Sequence, residues 1–238
     1  MEILEKPIEW YVEQMSVPFS FPGYSDAELF SMVGEREGSR TGYGQLITQK
    51  VELDLLRPLL VHHERFFPAV PKVLKSFPQW AVIHDYFEKN VPSRTYYERD
   101  MVTDELSEKA GLYPFIAKLQ EMKVGIVGNK ALRGLDFLYY ESFYEIEPQD
   151  FHLNRKGMEK IVKAIRKDSC DIYLFAGGIS ATVMIGMLHG SVRATLFDIG
   201  SSFDAFVGIG AQREWRDKLY QNPKALTAWI NKNIHGKS

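Results

Sequence analysis

Four stretches of this sequence carry residue types that could do chemistry at usable spacing. Gly128-Asn129-Lys130 closes an apolar run, and Gly177-Gly178-Ile179-Ser180-Ala181-Thr182 closes a second one and leads into another apolar segment. Paired glycines let the backbone approach a ligand closely. A following helix adds unpaired N–H groups and a positive partial charge, which suits a phosphate. The same residues also suit a plain tight turn, and they match neither the P-loop pattern nor the dinucleotide fingerprint. The third stretch is Asp198-Ile199-Gly200-Ser201-Ser202-Phe203-Asp204, where an acid at a strand end could hold a ribose hydroxyl or a metal-bound water, or cap the next helix. The fourth is Gly34-Glu35-Arg36-Glu37-Gly38. Read as the end of a strand over Leu29–Val33, it places Glu35 and Glu37 on one face, because strand side chains alternate. Two such carboxylates can share a divalent cation, which prefers oxygen ligands. Alternatively they form a solvated strand end that Arg36 partly neutralises. His62 and His63 are neighbours and cannot share a helical face. Cys170 is the only cysteine, so an intrachain disulfide and cysteine-based zinc clusters are excluded.

The elements that must position these residues alternate along the second half. Apolar runs predict strands over Lys123–Val127, Phe143–Ile146 (ended by Pro148), Asp171–Ala176 and Ala194–Ile199. Helices are expected over Leu132–Tyr139, around Met158, Ile161, Val162 and Ile165, over Ser180–Leu188, and around Leu226, Trp229 and Ile230. Such alternation predicts an α/β fold: a Rossmann-like, mostly parallel sheet with helices on both faces. Ligands in such sheets bind at the carboxyl ends of the strands. The first half is less regular. A helix is expected around Ile8, Tyr11, Val12 and Met15. Ser25 and Glu28 match a capping box. Gly38–Gly44 must be a loop, Thr48–Leu60 is a helix punctuated by Pro58, and Trp80–Phe87 is a strand or a short helix. Tyr96–Glu108 reads as a polar surface insertion or lid. One domain over residues 1–238 is expected, with a helical insertion or lid at about 60–115.

Composition narrows the function classes. The formal charge is −2, from 29 basic and 31 acidic residues in 238, which gives no footprint for nucleic acid. Ile172–Leu188 lacks charge but contains Gly177-Gly178 and Ser180, so it reads as strand, turn and buried helix rather than a transmembrane segment. Met1–Pro7 lacks the basic start and apolar core of a signal peptide, and a cytoplasmic location is expected.

In order, these pieces resemble the GT-D-type glycosyltransferases, bacterial enzymes with a Rossmann-like sheet. The resemblance is strongest from Gly125 to Asp204, above all in Phe175-Ala176-Gly177-Gly178-Ile179-Ser180-Ala181-Thr182 followed by Phe197-Asp198-Ile199-Gly200-Ser201. It is patchier from Phe30 to Leu60 and barely covers Pro68 to Asp104. It implies an Asp-x-Glu motif holding a divalent metal, Mn2+ or Mg2+, that binds the diphosphate of a UDP-sugar. The triplet matched to that motif is Glu35-Arg36-Glu37, with Glu for Asp and Arg36 for a small residue. Ser201 stands where the family pattern has histidine. The implied activity is transfer of a sugar from a nucleotide-sugar donor to a glycan, glycoprotein or other hydroxyl acceptor. Glu35 and Glu37 would hold the metal and act in catalysis. Gly34, Gly128, Asn129, Gly177, Gly178, Ser180 and Asp198 would seat the nucleotide. Arg36, Arg40 and Tyr43 would contact donor or acceptor from the loop. The alternatives are a nucleotide-binding protein without transferase chemistry, and a hydrolase of nucleotide sugars or phosphate esters.

Overall fold

The computed structural model describes residues 2–41, 44–61, 63–92, 95–99, 111–147, 149–208, 218–219 and 221–237. The strands are β1 (Glu2–Leu4), β2 (Ser20–Phe21), β3 (Ala69–Val70), β4 (Thr95–Glu98), β5 (Val124–Gly128), β6 (Ser142–Glu145), β7 (Ile172–Ala176) and β8 (Thr195–Asp198). The helices are α1 (Ile8–Gln14), α2 (Asp26–Val33), α3 (Glu52–Leu60), α4 (Trp80–Asn90), α5 (Tyr113–Leu119), α6 (Arg155–Ile165), α7 (Ile179–Leu188) and α8 (Pro223–Ile234).

Five strands form one sheet in the order β2-β8-β7-β5-β6, and three form a second in the order β1-β4-β3. Every described strand pair is parallel. Isolated parallel bridges, Ser20 to Phe66 and Gly23 to Ala69, join the two sheets. From β5 the chain moves outward to β6, then crosses back to β7 on the other side of β5. The reversal opens a crevice between the carboxyl ends of β5 and β7. This is the expected α/β, Rossmann-like arrangement.

Side-chain alternation sorts each central strand into two cores. Tyr173 and Phe175 face the core shared by α2, α3, α4, α6 and α7, whereas Ile172 and Leu174 face the core shared by α1 and α5. Phe197 centres the second core: it stacks on Phe21 at 4.7 Å and lies 5.0 Å from Phe115. Helix α7 is buried around most of its circumference, as expected for a helix that is apolar all round. The uncharged stretch from Ile172 to Leu188 is therefore β7, a glycine turn and α7. No helix among the described residues is long and apolar enough to cross a membrane.

Several expectations are corrected. Leu29–Val33 is not a strand; it is the C-terminal part of α2, which Gly34 ends in the left-handed conformation. The capping box of Ser25 and Glu28 is real and opens that helix, so the local signal outweighed a short apolar run that is ambiguous by itself. Leu132–Tyr139 is not a helix; a 3-10 turn covers Lys130–Gly134 and the chain is extended at Leu135. Tyr96 and Glu98 are not surface residues of an insertion but buried parts of β4. The stretch expected as a lid contributes β3, α4 and β4, and Leu74, Ile83, Phe87 and Val91 belong to the main core. Tyr43, Pro148 and residues 100–108 of the expected insertion lie outside the described residues.

Candidate functional site

Five strands from both sheets end at one cleft of about 180 Å3. The turn after β2 supplies Ser25, Asp26, Ala27 and Glu28, and the end of β4 supplies Arg99. Asn129 follows β5, Ala176-Gly177-Gly178 ends β7, and Gly200, Ser201 and Asp204 follow β8. Thr41 and Gln45 close one side from the glycine-rich loop.

The glycine turn is held from outside. Gly178 is the N-cap of α7, with φ 54° and ψ −133°, a conformation that few residues other than glycine adopt. Gln45 Nε2 donates to the Gly177 carbonyl at 2.9 Å, and a Cβ on Gly178 would collide with Gln45 Oε1. The loop bearing Gln45 is itself tied down. Arg40 reaches both carboxylate oxygens of Asp150, at 3.2 and 3.0 Å, and Leu46 N–H donates to Asp150 at 2.7 Å. Those bonds, together with Arg40, hold the Asp150 carboxyl below the usual carboxylate range.

Two carboxylates lie buried at the floor. Asp198 accepts from Gly23 N–H at 3.1 Å and Gly200 N–H at 2.8 Å. Burial pushes its carboxyl up, and Arg99 and these two bonds oppose the rise. Glu28 accepts from the Ser25 N–H at 3.0 Å and from the Ser25 hydroxyl. Burial pushes it up to about 7 against the pull of Arg99 and Ser25. Asp26, between them in sequence but on the outer side of the first helical turn, is exposed to the cleft.

The sequence-predicted residues divide accordingly. Gly177, Gly178 and Asn129 line the cleft, and Asn129 also caps the following turn through Ala131 N–H at 2.9 Å. Asp198 braces the floor rather than lining it. Gly128 is buried in β5 against Leu132 and Ala176, and Ser180 is buried in α7. Glu35 and Glu37 are not among the lining residues. They lie in the turn after α2, and the alternation that put them on one strand face does not apply there. Glu37 accepts from the Thr48 hydroxyl at 2.9 Å and from Gln49 N–H at 2.7 Å, which starts the next helix. Arg36, at φ 54°, lays its guanidinium over Phe30 at 4.7 Å, and Gly34 packs against Gln49.

Sequence reasoning missed the acid-x-acid triplet that does reach the cleft, Asp26-Ala27-Glu28. The capping box marked it, but was read only as a helix start. Asp26, Glu28 and Asp204 offer hard oxygen donors of the kind a divalent cation takes. Among the described residues, no three His, Cys, Asp or Glu side chains group closely enough to hold an ion alone.

No family model matches the chain, and no curated protein matches it. Two solved structures do. One is a selenomethionine-substituted structure of domain of unknown function 1792, with TM-score 0.59 and 16% identity over 89% of this chain and 83% of that one. The other presents the same domain as highly conserved and having a distinct glycosyltransferase fold, with TM-score 0.54, 16% identity and the same coverage of 89% and 83%. The chain shares that fold, in line with its resemblance to the GT-D-type enzymes.

Proposed function

We propose that this glycosyltransferase-fold chain transfers a sugar from a nucleoside diphosphate donor, a UDP-sugar being the expected one, to a hydroxyl acceptor. The observation that carries the reading is the convergence of five strand ends on one cleft. That cleft combines a glycine turn at a helix N-terminus with the triplet Asp26-Ala27-Glu28. The first N–H groups of α7 and the open backbone of Gly177-Gly178 suit the diphosphate. Asn129, Thr41 and Ser201 add neutral hydrogen-bonding groups around it.

A divalent cation, Mn2+ or Mg2+, would be held by Asp26 with Asp204 and Glu28 nearby, and it would supply charge neutralisation at the leaving diphosphate. Asp26 projects from the first turn of α2, beside the positive end of the helix, where a carboxylate is favourably placed. Glu28 is the inner carboxylate, fixed in one orientation by its two bonds from Ser25. The glycine-rich loop, pinned through Arg40 and Asp150, holds Thr41 and Gln45 over the donor seat and reduces access of water.

The test is a donor screen: UDP-sugars are incubated with simple glycoside acceptors and Mn2+, and both released UDP and glycosylated product are measured. Product formation supports the reading. UDP binding without turnover of any donor favours a nucleotide-binding protein, and free sugar without acceptor favours a hydrolase.

A further inference from the structure

We propose that Arg99 is the residue that grips the diphosphate, and that the three-stranded sheet serves to carry it into the cleft. This rests on the reading of the cleft given above. Arg99 directly follows β4, the central strand of that sheet. Its backbone and the preceding residue are tied to the end of β3: Arg99 N–H donates to the Val70 carbonyl at 3.0 Å, and the buried Glu98 carboxylate accepts from Lys72 N–H at 3.0 Å. From this anchor the side chain crosses to the large sheet. It passes so close over Gly23 that a Cβ there would collide with Arg99 Nε and lie 2.5 Å from Asp198 Oδ2.

Arg99 is the sole cation among the described residues that line the cleft, where it faces Asp26, Glu28 and Asp204. Its side chain is only 12% exposed. It approaches Asp198 at 4.0 Å, an ion-pair distance but not a hydrogen bond. Asp198 draws its hydrogen bonds from the Gly23 and Gly200 amides instead. The guanidinium therefore faces Asp198 as an ion-pair partner, while the amides make that carboxylate's hydrogen bonds. A planar fork of donors on a largely buried side chain is suited to phosphate oxygens, to which it can bond two at a time.

The competing reading is that Arg99 only neutralises the buried carboxylates. The two differ in what they predict for ligands. Inorganic pyrophosphate and UDP are titrated calorimetrically into wild type, Arg99→Lys, Asp198→Asn and the double variant Arg99→Gln/Asp198→Asn, at fixed salt and well below each melting temperature. The double variant removes both charges together, so that no unpaired acid replaces the old pair. Loss of a charged hydrogen bond predicts pyrophosphate and UDP affinities lower by about 10- to 100-fold in the double variant. A smaller loss is expected in Arg99→Lys, which keeps the charge but not the fork. Asp198→Asn should bind as tightly as wild type or more so. Equal affinity of wild type and the folded double variant overturns the assignment. If wild type binds neither pyrophosphate nor UDP, this assignment and the donor reading fall together. Arg99-dependent pyrophosphate binding in a protein that transfers no sugar leaves the assignment standing and removes the transferase.

Discussion

Replacing Gly178 by alanine perturbs the candidate donor seat at one atom. The added Cβ would collide with Gln45 Oε1 and stand 2.8 Å from Nε2 and 2.9 Å from Cδ. The amide lies at the far end of a flexible side chain, so it can swing away, but only by giving up its hydrogen bond to the Gly177 carbonyl. That bond contributes about 1 kcal/mol. Holding an alanine at φ 54°, ψ −133° costs a further ~1–3 kcal/mol. The total, about 2–4 kcal/mol, lowers Tm by about 4–16 °C for a chain of this size. Gly190→Ala is the control, because Gly190 also has positive φ, 71°, but nothing lies within 4 Å of its would-be Cβ. It should lose only about 1–2 kcal/mol. The double-mutant cycle with Gln45→Ala separates the terms. In that background Gly178→Ala should cost about 1 kcal/mol less than in wild type. The assay is urea unfolding of all four proteins, with UDP affinity measured alongside. A Gly178→Ala protein as stable as wild type, or one that loses no more than Gly190→Ala and shows no coupling to Gln45, refutes the claim that this turn is sterically fitted.

Two other perturbations follow from the packing. His189, whose Nδ1 lies 2.7 Å from the Ser20 hydroxyl, is pushed down to about 4 by burial and by neighbouring His63. Because the folded-state value lies below the unfolded one, stability is fully present above about pH 6.5 and is lost as pH falls towards 4. The group is partly exposed, so screening discounts the loss to about 1–2 kcal/mol. Urea midpoints between pH 7.5 and 4.5 should fall further in wild type than in His189→Gln, and parallel curves would contradict this. The Thr182 hydroxyl donates to the buried Gly23 carbonyl at 2.6 Å, joining α7 to the cleft floor. Thr182→Val should cost about 1–3 kcal/mol, because it leaves that carbonyl buried without its donor; an unchanged urea midpoint would show that the bond contributes nothing.

What the sequence made legible follows from which interactions are local. Strands β5, β7 and β8 are continuous apolar runs closed by glycine or an acid, and a parallel strand buried on both faces must read that way. The turns that close β5 and β7 hold Asn129, Gly177 and Gly178, the expected nucleotide-binding residues that the structure places along the cleft. The first half was harder, because β1, β2 and β3 are two or three residues long and owe their existence to partners far away in the chain, such as Phe21 on Phe197 and Ala69 on Tyr97. Such strands leave no periodicity to read. Leu29–Val33 illustrates the opposite case: its five apolar residues fit either period, while the capping box four residues upstream fixed the answer. Taking that stretch as a strand put Glu35 and Glu37 on one strand face, whereas they lie in the turn after α2 and away from the cleft lining. Arg99 could not be singled out from sequence either, since its place in the cleft depends on how two separate sheets meet at Gly23.

The most direct test of the central claim is the affinity for UDP with Mn2+ and then with EDTA, in wild type and in Asp26→Asn. Asp26 is exposed at the start of α2, so the substitution should leave the fold intact at a cost of about 0.3–1 kcal/mol. UDP binding should weaken markedly with EDTA in wild type and lose that metal dependence in Asp26→Asn. Metal-dependent binding that survives in Asp26→Asn, or no UDP binding by wild type under either condition, would contradict it.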